Sequence, residues 1–191
     1  MSSAWDRIVA TVTREFTDID DVEQMTRVAV RLLLAGALGF VLGFEREARG
    51  KAAGARTHML VAMGSCLFVL TPQFSGMAIG DMSRVIQGLL AGVGFLCAGA
   101  ILKNGKEEHE QAVHGLTTAA GMWMTAAIGM ACGLGREVTA VLSALLALAV
   151  LALVPRLADL VERMVGPRRG GDGGSGESPR VIVSPDEKPP R

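Results

Sequence analysis

Charge is almost missing from the middle of this chain. Of its 38 charged residues, nine fall in positions 1–27 and nine in 166–191, which leaves 20 for the 138 positions between. A water-facing surface needs charge spread across it, so the middle is too apolar for a soluble domain. With 24 glycines, 6 phenylalanines and no tyrosine, it reads as helices packed in lipid. Zero net charge and no basic patch argue against nucleic acid. Three cysteines, an odd number, exclude a disulfide framework.

A helix crosses a bilayer with about 20 apolar residues. Five stretches qualify: Val28–Phe44, Met59–Ile79, Val85–Leu102, Leu116–Leu134 and Val138–Val154, the last stopped by Pro155. The second is the least regular, because Pro72 and Gln73 interrupt it; 71–84 reads either as embedded or as an external loop, and four spans are the alternative count. Arg31 is the one charge inside a span, one turn from its end, and is expected to snorkel to the interface. The expected fold is all-α: a polytopic membrane bundle of about five helices. Lys and Arg concentrate in loop one, loop three and the C-terminal flank. That distribution places those segments in the cytoplasm and the N-terminus outside.

The ends divide the chain further. Residues 1–26 are not a signal peptide. Trp5, Ile8, Val9, Val12, Phe16 and Ile19 share one helical arc, giving an amphipathic segment that lies on the membrane surface or packs on a helix bundle. The spanning domain is 27–155, followed by a short cytoplasmic helix over 156–165. Gly, Pro, Ser and charge over 166–191 read as a disordered tail.

Helices in lipid pack through small residues. Gly39 and Gly43, then Gly88, Gly92 and Gly99, then Gly129 and Gly133 supply such faces, some of them candidate homo-oligomer surfaces with a dimer favoured. Cys66, Cys97 and Cys132 read as small buried hydrophobes. Polar groups inside spans are few, and no Walker loop, nucleophile elbow or HExxH pattern occurs, so no enzyme is expected.

The densest polar segment is loop one, with Glu45, Arg46, Glu47, Arg49, Lys51 and Arg56, followed by Thr57 and His58. It reads as a positive-inside loop. Glu45 and Glu47 stand where an apolar span ends, so they are also the candidate ligands for a hydrated Mg²⁺, which takes one or two carboxylates. The basic neighbours oppose that and suit lipid headgroups. Loop three holds Glu107, Glu108, His109, Glu110 and His114, whose spacing is no tight zinc motif.

Three stretches together resemble the MgtC/SapB family of bacterial inner-membrane proteins. They are Leu38–Glu47 with Arg49-Gly50-Lys51, Ala53-Gly54 and Arg56-Thr57-His58; Arg84 to Gln87-Gly88 with Gly92-Val93-Gly94 and Gly99; and His114-Gly115-Leu116-Thr117-Thr118 with Trp123 and Gly129. The resemblance implies five spans, an inner-membrane location and a role when Mg²⁺ is scarce. It implies either Mg²⁺ transport or regulation of a partner membrane protein such as the F-type ATP synthase. It marks Arg46, Arg49, Arg56, Thr57, His58, Arg84, Gln87, Thr117, Thr118 and Trp123 as motif residues. Ala52, Ala55 and Cys97 depart from the family pattern, and the short C-terminal segment points to the SapB-like branch.

Overall fold

The structure, a computed structural model, describes residues 3–15, 21–104 and 115–165. All its elements are helices: α1 (Ala4–Glu15), α2 (Val22–Ala48), α3 (Ala55–Phe74), α4 (Ile79–Asn104), α5 (Leu116–Gly133) and α6 (Glu137–Val165). The fold is an all-α membrane bundle. Chain contacts divide it into two units, Met1–Val154 and Pro155–Arg191. The core and the sites below belong to the first. The described part of the second is the end of α6, where Leu157, Leu160, Val161 and Met164 are exposed.

Among the described residues, four helices are long and apolar enough to cross a membrane: α2, α3, α4 over Ile79–Leu102, and α6 over Glu137–Met164. The sequence reading expected five. The remaining one, α5, is 18 residues long and rich in Gly and Thr. At about 1.5 Å per residue it is about 27 Å long, close to the hydrocarbon thickness. Half of its residues, including Ala126, Ile128 and Cys132, are buried inside the bundle. A helix shielded by protein does not need the apolarity that lipid contact demands.

Several boundaries differ from expectation. The first span extends at both ends, and α2 starts at Val22 because Asp21 caps it, accepting from the Glu23 N–H at 3.2 Å. Residues 22–26 therefore belong to α2 and not to the N-terminal segment. The second span stops at Phe74, five residues early. The third begins at Ile79, so 75–78 is a tight turn and Asp81 and Arg84 lie in the first turns of α4. Pro155 does not stop α6. Proline removes one N–H donor, and the helix continues past it. In α1 no residue is buried, and Trp5, Ile8, Val9 and Val12 are exposed. Phe16, Ile19, loop three from Gly105 to His114 and the tail 166–191 lie outside the described residues.

Helix α3 packs most extensively against α2 and α5, which also touch each other. Contact with α2 is antiparallel: Gly43 meets Ala55 and His58, and Gly36 meets Met63. Contact with α5 is parallel. His58 meets Thr125, Ala62 meets Gly129 and Cys66 meets Gly133, each pair 67 positions apart. A chain that reverses at every turn returns to the same direction at alternate helices, as α3 and α5 do. The buried core joins Ala35 and Leu42, Ala62, Cys66 and Leu70, Ile128 and Cys132, and Ala140 and Ala144.

Glycines make the close approaches. A Cβ on Gly43 would stand 2.6 Å from the Ala55 Cα, and one on Gly39 2.7 Å from the His58 carbonyl oxygen. A Cβ on Gly133 would stand 2.5 Å from the Cys66 carbonyl oxygen, and one on Gly129 would strike that of Ala62. Gly88, Gly92 and Gly99 make no such close approach within the chain: among the described residues, no atom of another element lies within 4 Å of where their Cβ would be. They lie on α4, most of whose surface is exposed within this chain.

Candidate functional site at the junction of α2, α3 and α5

The site starts with how α2 ends. Gly50 adopts φ +66°. The Gly50 N–H donates to Glu47 O at 2.9 Å and the Lys51 N–H to Arg46 O at 3.0 Å. This is the Schellman closure, in which a left-handed glycine lets the last carbonyls be satisfied. It turns the chain back so that Ala53 and Ala55 are buried and α3 starts beside the α2 terminus.

Gly54 has no side chain with which to cap α3. Glu47 supplies the missing acceptor: its Oε2 takes the Ala55 N–H at 2.9 Å. A carboxylate at a helix N-terminus also meets the positive end of the helix dipole. A Cβ on Gly54 would stand 2.7 Å from that same oxygen. Glu47 is thereby committed to holding two helices together.

Glu45 lies between two arginines. Its Oε1 is 2.6 Å from Arg49 Nε, and its Oε2 is 3.5 Å from Arg46 Nη1. These are ion pairs without hydrogen-bond geometry, and both carboxylate oxygens are buried and lack a hydrogen-bond partner among the described residues. Arg46 is 3% exposed, and its Nε is unpartnered too.

His58 is 1% exposed. Its Nδ1 is 2.7 Å from Thr125 Oγ1, and that hydroxyl is 2.9 Å from Gly121 O. The hydroxyl hydrogen goes to the Gly121 carbonyl, so the hydroxyl accepts from Nδ1–H. That assigns the Nδ1–H tautomer and leaves Nε2 as a bare lone pair. Nε2 is buried without a partner, and the Arg46 charge acts on the ring. Native interiors leave few polar atoms unpaired. Here the unpaired ones concentrate in Glu45, Arg46 and His58.

The structure therefore brings Glu45, Arg46, Arg49 and His58 to one end of the bundle. Arg56 and Thr57 are close in sequence but exposed on α3. Thr118 is buried in α5, whereas Thr117 and Trp123 are exposed. Arg84 and Gln87 are exposed on α4, apart from this cluster. No group of three or more His, Cys, Asp or Glu able to hold a metal ion occurs among the described residues. Glu45 and Glu47 are the carboxylates at the mouth, and each already has a partner within the chain.

A second polar cluster lies at the other end of α2, and the sequence reading missed it. Arg31 is held by partners from three other helices. Its Nη1 donates to Gln73 Oε1 and to the Gly133 carbonyl, both at 2.9 Å, and its Nε is 3.6 Å from Glu137 Oε1. The guanidinium also stands 5.8 Å from the Phe74 ring centroid. One side chain thus ties α2 to α3, α5 and α6. The signal available in sequence was that Gln73 interrupts one span and Glu137 directly precedes another, where a cation on a neighbouring helix could reach them. Thr125, the partner of His58, is one of the few polar groups inside a span, and the sequence alone gives it no partner.

Comparison with known proteins fits this arrangement. The profile of the MgtC family matches residues 32–160, more than half of the chain. Protein SrpB of Synechococcus elongatus is 48% identical over 116 residues, 56% of this chain and 64% of that protein. A protein of Escherichia coli K12 named "Putative magnesium transporter YhiD" is 40% identical over 136 residues, 67% of this chain and 60% of that protein. Protein MgtC of Brucella abortus is 43% identical over 133 residues, 68% of this chain and 52% of that protein. The matched region is thus between about half and two thirds of these relatives' length. No solved structure matches. Matched from α2 to α6, with its polar cluster inside that span, the chain belongs to the MgtC family.

Proposed function

We propose that this chain is an inner-membrane protein of Mg²⁺ homeostasis, with Mg²⁺ transport as the first reading. The observation that carries the proposal is the family match, which runs through the whole bundle core. A relative's name refers to magnesium transport, and the buried Glu45–Arg46–His58 cluster offers polar groups at the bundle's mouth. No catalytic chemistry is assigned. A homodimer and the lipid bilayer are the proposed associations.

The second reading is a non-transporting regulator that binds another membrane protein. One observation favours it: Glu45 is paired by Arg49 and Arg46, and Glu47 caps α3. Two carboxylates already engaged are poor ligands for a divalent cation unless the arginines move.

Two measurements test the proposal and separate the readings. A strain lacking its own Mg²⁺ uptake, expressing this chain, is grown at limiting Mg²⁺, and the purified protein is reconstituted in vesicles holding a Mg²⁺-sensitive dye. Rescue with flux above empty vesicles, both lost in Glu45→Ala, supports transport. Rescue without flux, with one heterologous partner recovered by crosslinking, supports regulation. No rescue and no flux would overturn both.

A further inference from the structure

Between α3 and α4 runs an open furrow of about 640 Å³. Leu60 and Phe68 of α3 and Leu89 and Leu96 of α4 contribute to its apolar walls. Three glycines line it: Gly64 on α3, and Gly88 and Gly92 on α4. Each has open space where a Cβ would stand, so the absent side chains are what keep the furrow wide.

Its length can be compared with a membrane. On α4 the lining runs from Arg84 to Leu96. Twelve residues at about 1.5 Å each give about 18 Å. One leaflet of a ~30 Å hydrocarbon core is about 15 Å deep. Arg84 stands at one end, near the start of α4, and is the one charged residue among those lining the furrow. It has no ion pair among the described residues; Asp81, one turn earlier, is not bonded to it.

The lining decides between occupants. Its walls are apolar apart from Ser65, and its one charge stands at the end, the arrangement that suits an acyl chain beneath a headgroup. An acyl chain gains nothing by leaving other acyl chains, because lipid tails are as apolar as leucine. What would hold a particular lipid here is the arginine, whose planar donors suit a phosphate.

We propose that the α3–α4 furrow is a phospholipid site, with one acyl chain lying over Gly64, Gly88 and Gly92 and the lipid phosphate paired with Arg84. This rests on the bundle being in a membrane and not on Mg²⁺ transport. The test uses the full chain in a mild detergent, exchanged into phosphatidylglycerol mixed micelles and examined by native mass spectrometry. The expected result is one lipid retained per chain. Arg84→Gln lowers that retention about tenfold or more, and Arg84→Lys restores part of it. Gly88→Leu fills the furrow and also lowers retention while leaving helicity by circular dichroism unchanged. Retention in both Arg84→Gln and Gly88→Leu equal to that of the parent chain would overturn the proposal. So would self-crosslinking of Gly92→Cys in native membranes, which would place a second copy in the furrow, or binding of inorganic phosphate at Arg84 with no lipid retained.

Discussion

The glycines of this bundle fall into two sets that look alike in sequence and should behave oppositely on substitution. Consider Gly133→Ala. The added methyl would stand 2.5 Å from the Cys66 carbonyl oxygen, whereas ordinary contact begins near 3.4 Å, so α3 and α5 must separate locally by about 0.9 Å. The obstacle is backbone, which cannot rotate away as a side-chain tip can. Overpacking of this kind costs about 1–3 kcal/mol. Against it stands the gain from replacing a helical glycine, up to about 1 kcal/mol. The net expectation is a loss of about 1–2 kcal/mol for Gly133→Ala, and at least as much for Gly129→Ala. Gly88→Ala and Gly92→Ala carry the same propensity gain and meet no atom, so they should be neutral or stabilising by up to about 1 kcal/mol. The assay is reversible unfolding of the four variants in mixed micelles by denaturing detergent, followed by far-ultraviolet circular dichroism. If Gly133→Ala and Gly129→Ala unfold at the same midpoint as Gly88→Ala, the close approach of α5 to α3 is wrong.

Three further outcomes follow from the polar clusters. Thr125→Val keeps the side-chain shape but removes the acceptor for His58 Nδ1–H, leaving both ring nitrogens unpaired. We expect a loss of about 1–2 kcal/mol and a coupling above about 0.5 kcal/mol in a cycle with His58→Phe; additive effects would refute the bond. Arg31→Gln removes two hydrogen bonds donated by a charged group and should cost about 1.5–3 kcal/mol. Glu137→Gln alters a pair that is 41% exposed on the acid side and should cost under about 1 kcal/mol; the reverse order in unfolding midpoints would show that Glu137, not the carbonyl and Gln73, holds Arg31. Glu47→Gln leaves an oxygen to accept the Ala55 N–H and should cost under about 1 kcal/mol, whereas Glu47→Ala removes the cap and should cost about 1–2 kcal/mol; equal effects would show that the cap is not formed.

Much of the architecture was legible before any coordinates. The apolar stretches marked the helices because lipid imposes one strong rule: backbone polar groups must be satisfied inside the segment. The rule is about length and composition, and both are readable in a single chain. Helix ends were less readable. Pro155 looked like a stop and Pro72 like an interruption, yet each lies inside a helix, because one missing donor is a small loss against a long packed helix. The candidate site was half legible. Glu45, Arg46, Arg49 and His58 share one segment, so sequence grouped them. Thr125 lies 67 positions from His58, and no local pattern announces such a partner.

What the sequence determined by itself is the class of molecule: a neutral chain with a bare middle, hence a helical membrane bundle, with its polar chemistry crowded at the end of one span. What only the tertiary structure decided is which of those residues are free to act. Glu47 looked like a cation ligand and became a helix cap. Arg31 looked like a lone charge near a span's end and became the tie between four helices. The glycines of α2 and α5 became contacts, while those of α4 were left open. The physical reason is the same in each case. A side chain's type sets which partners it can accept, but only the packing of helices far apart in sequence sets which partner comes within 3 Å.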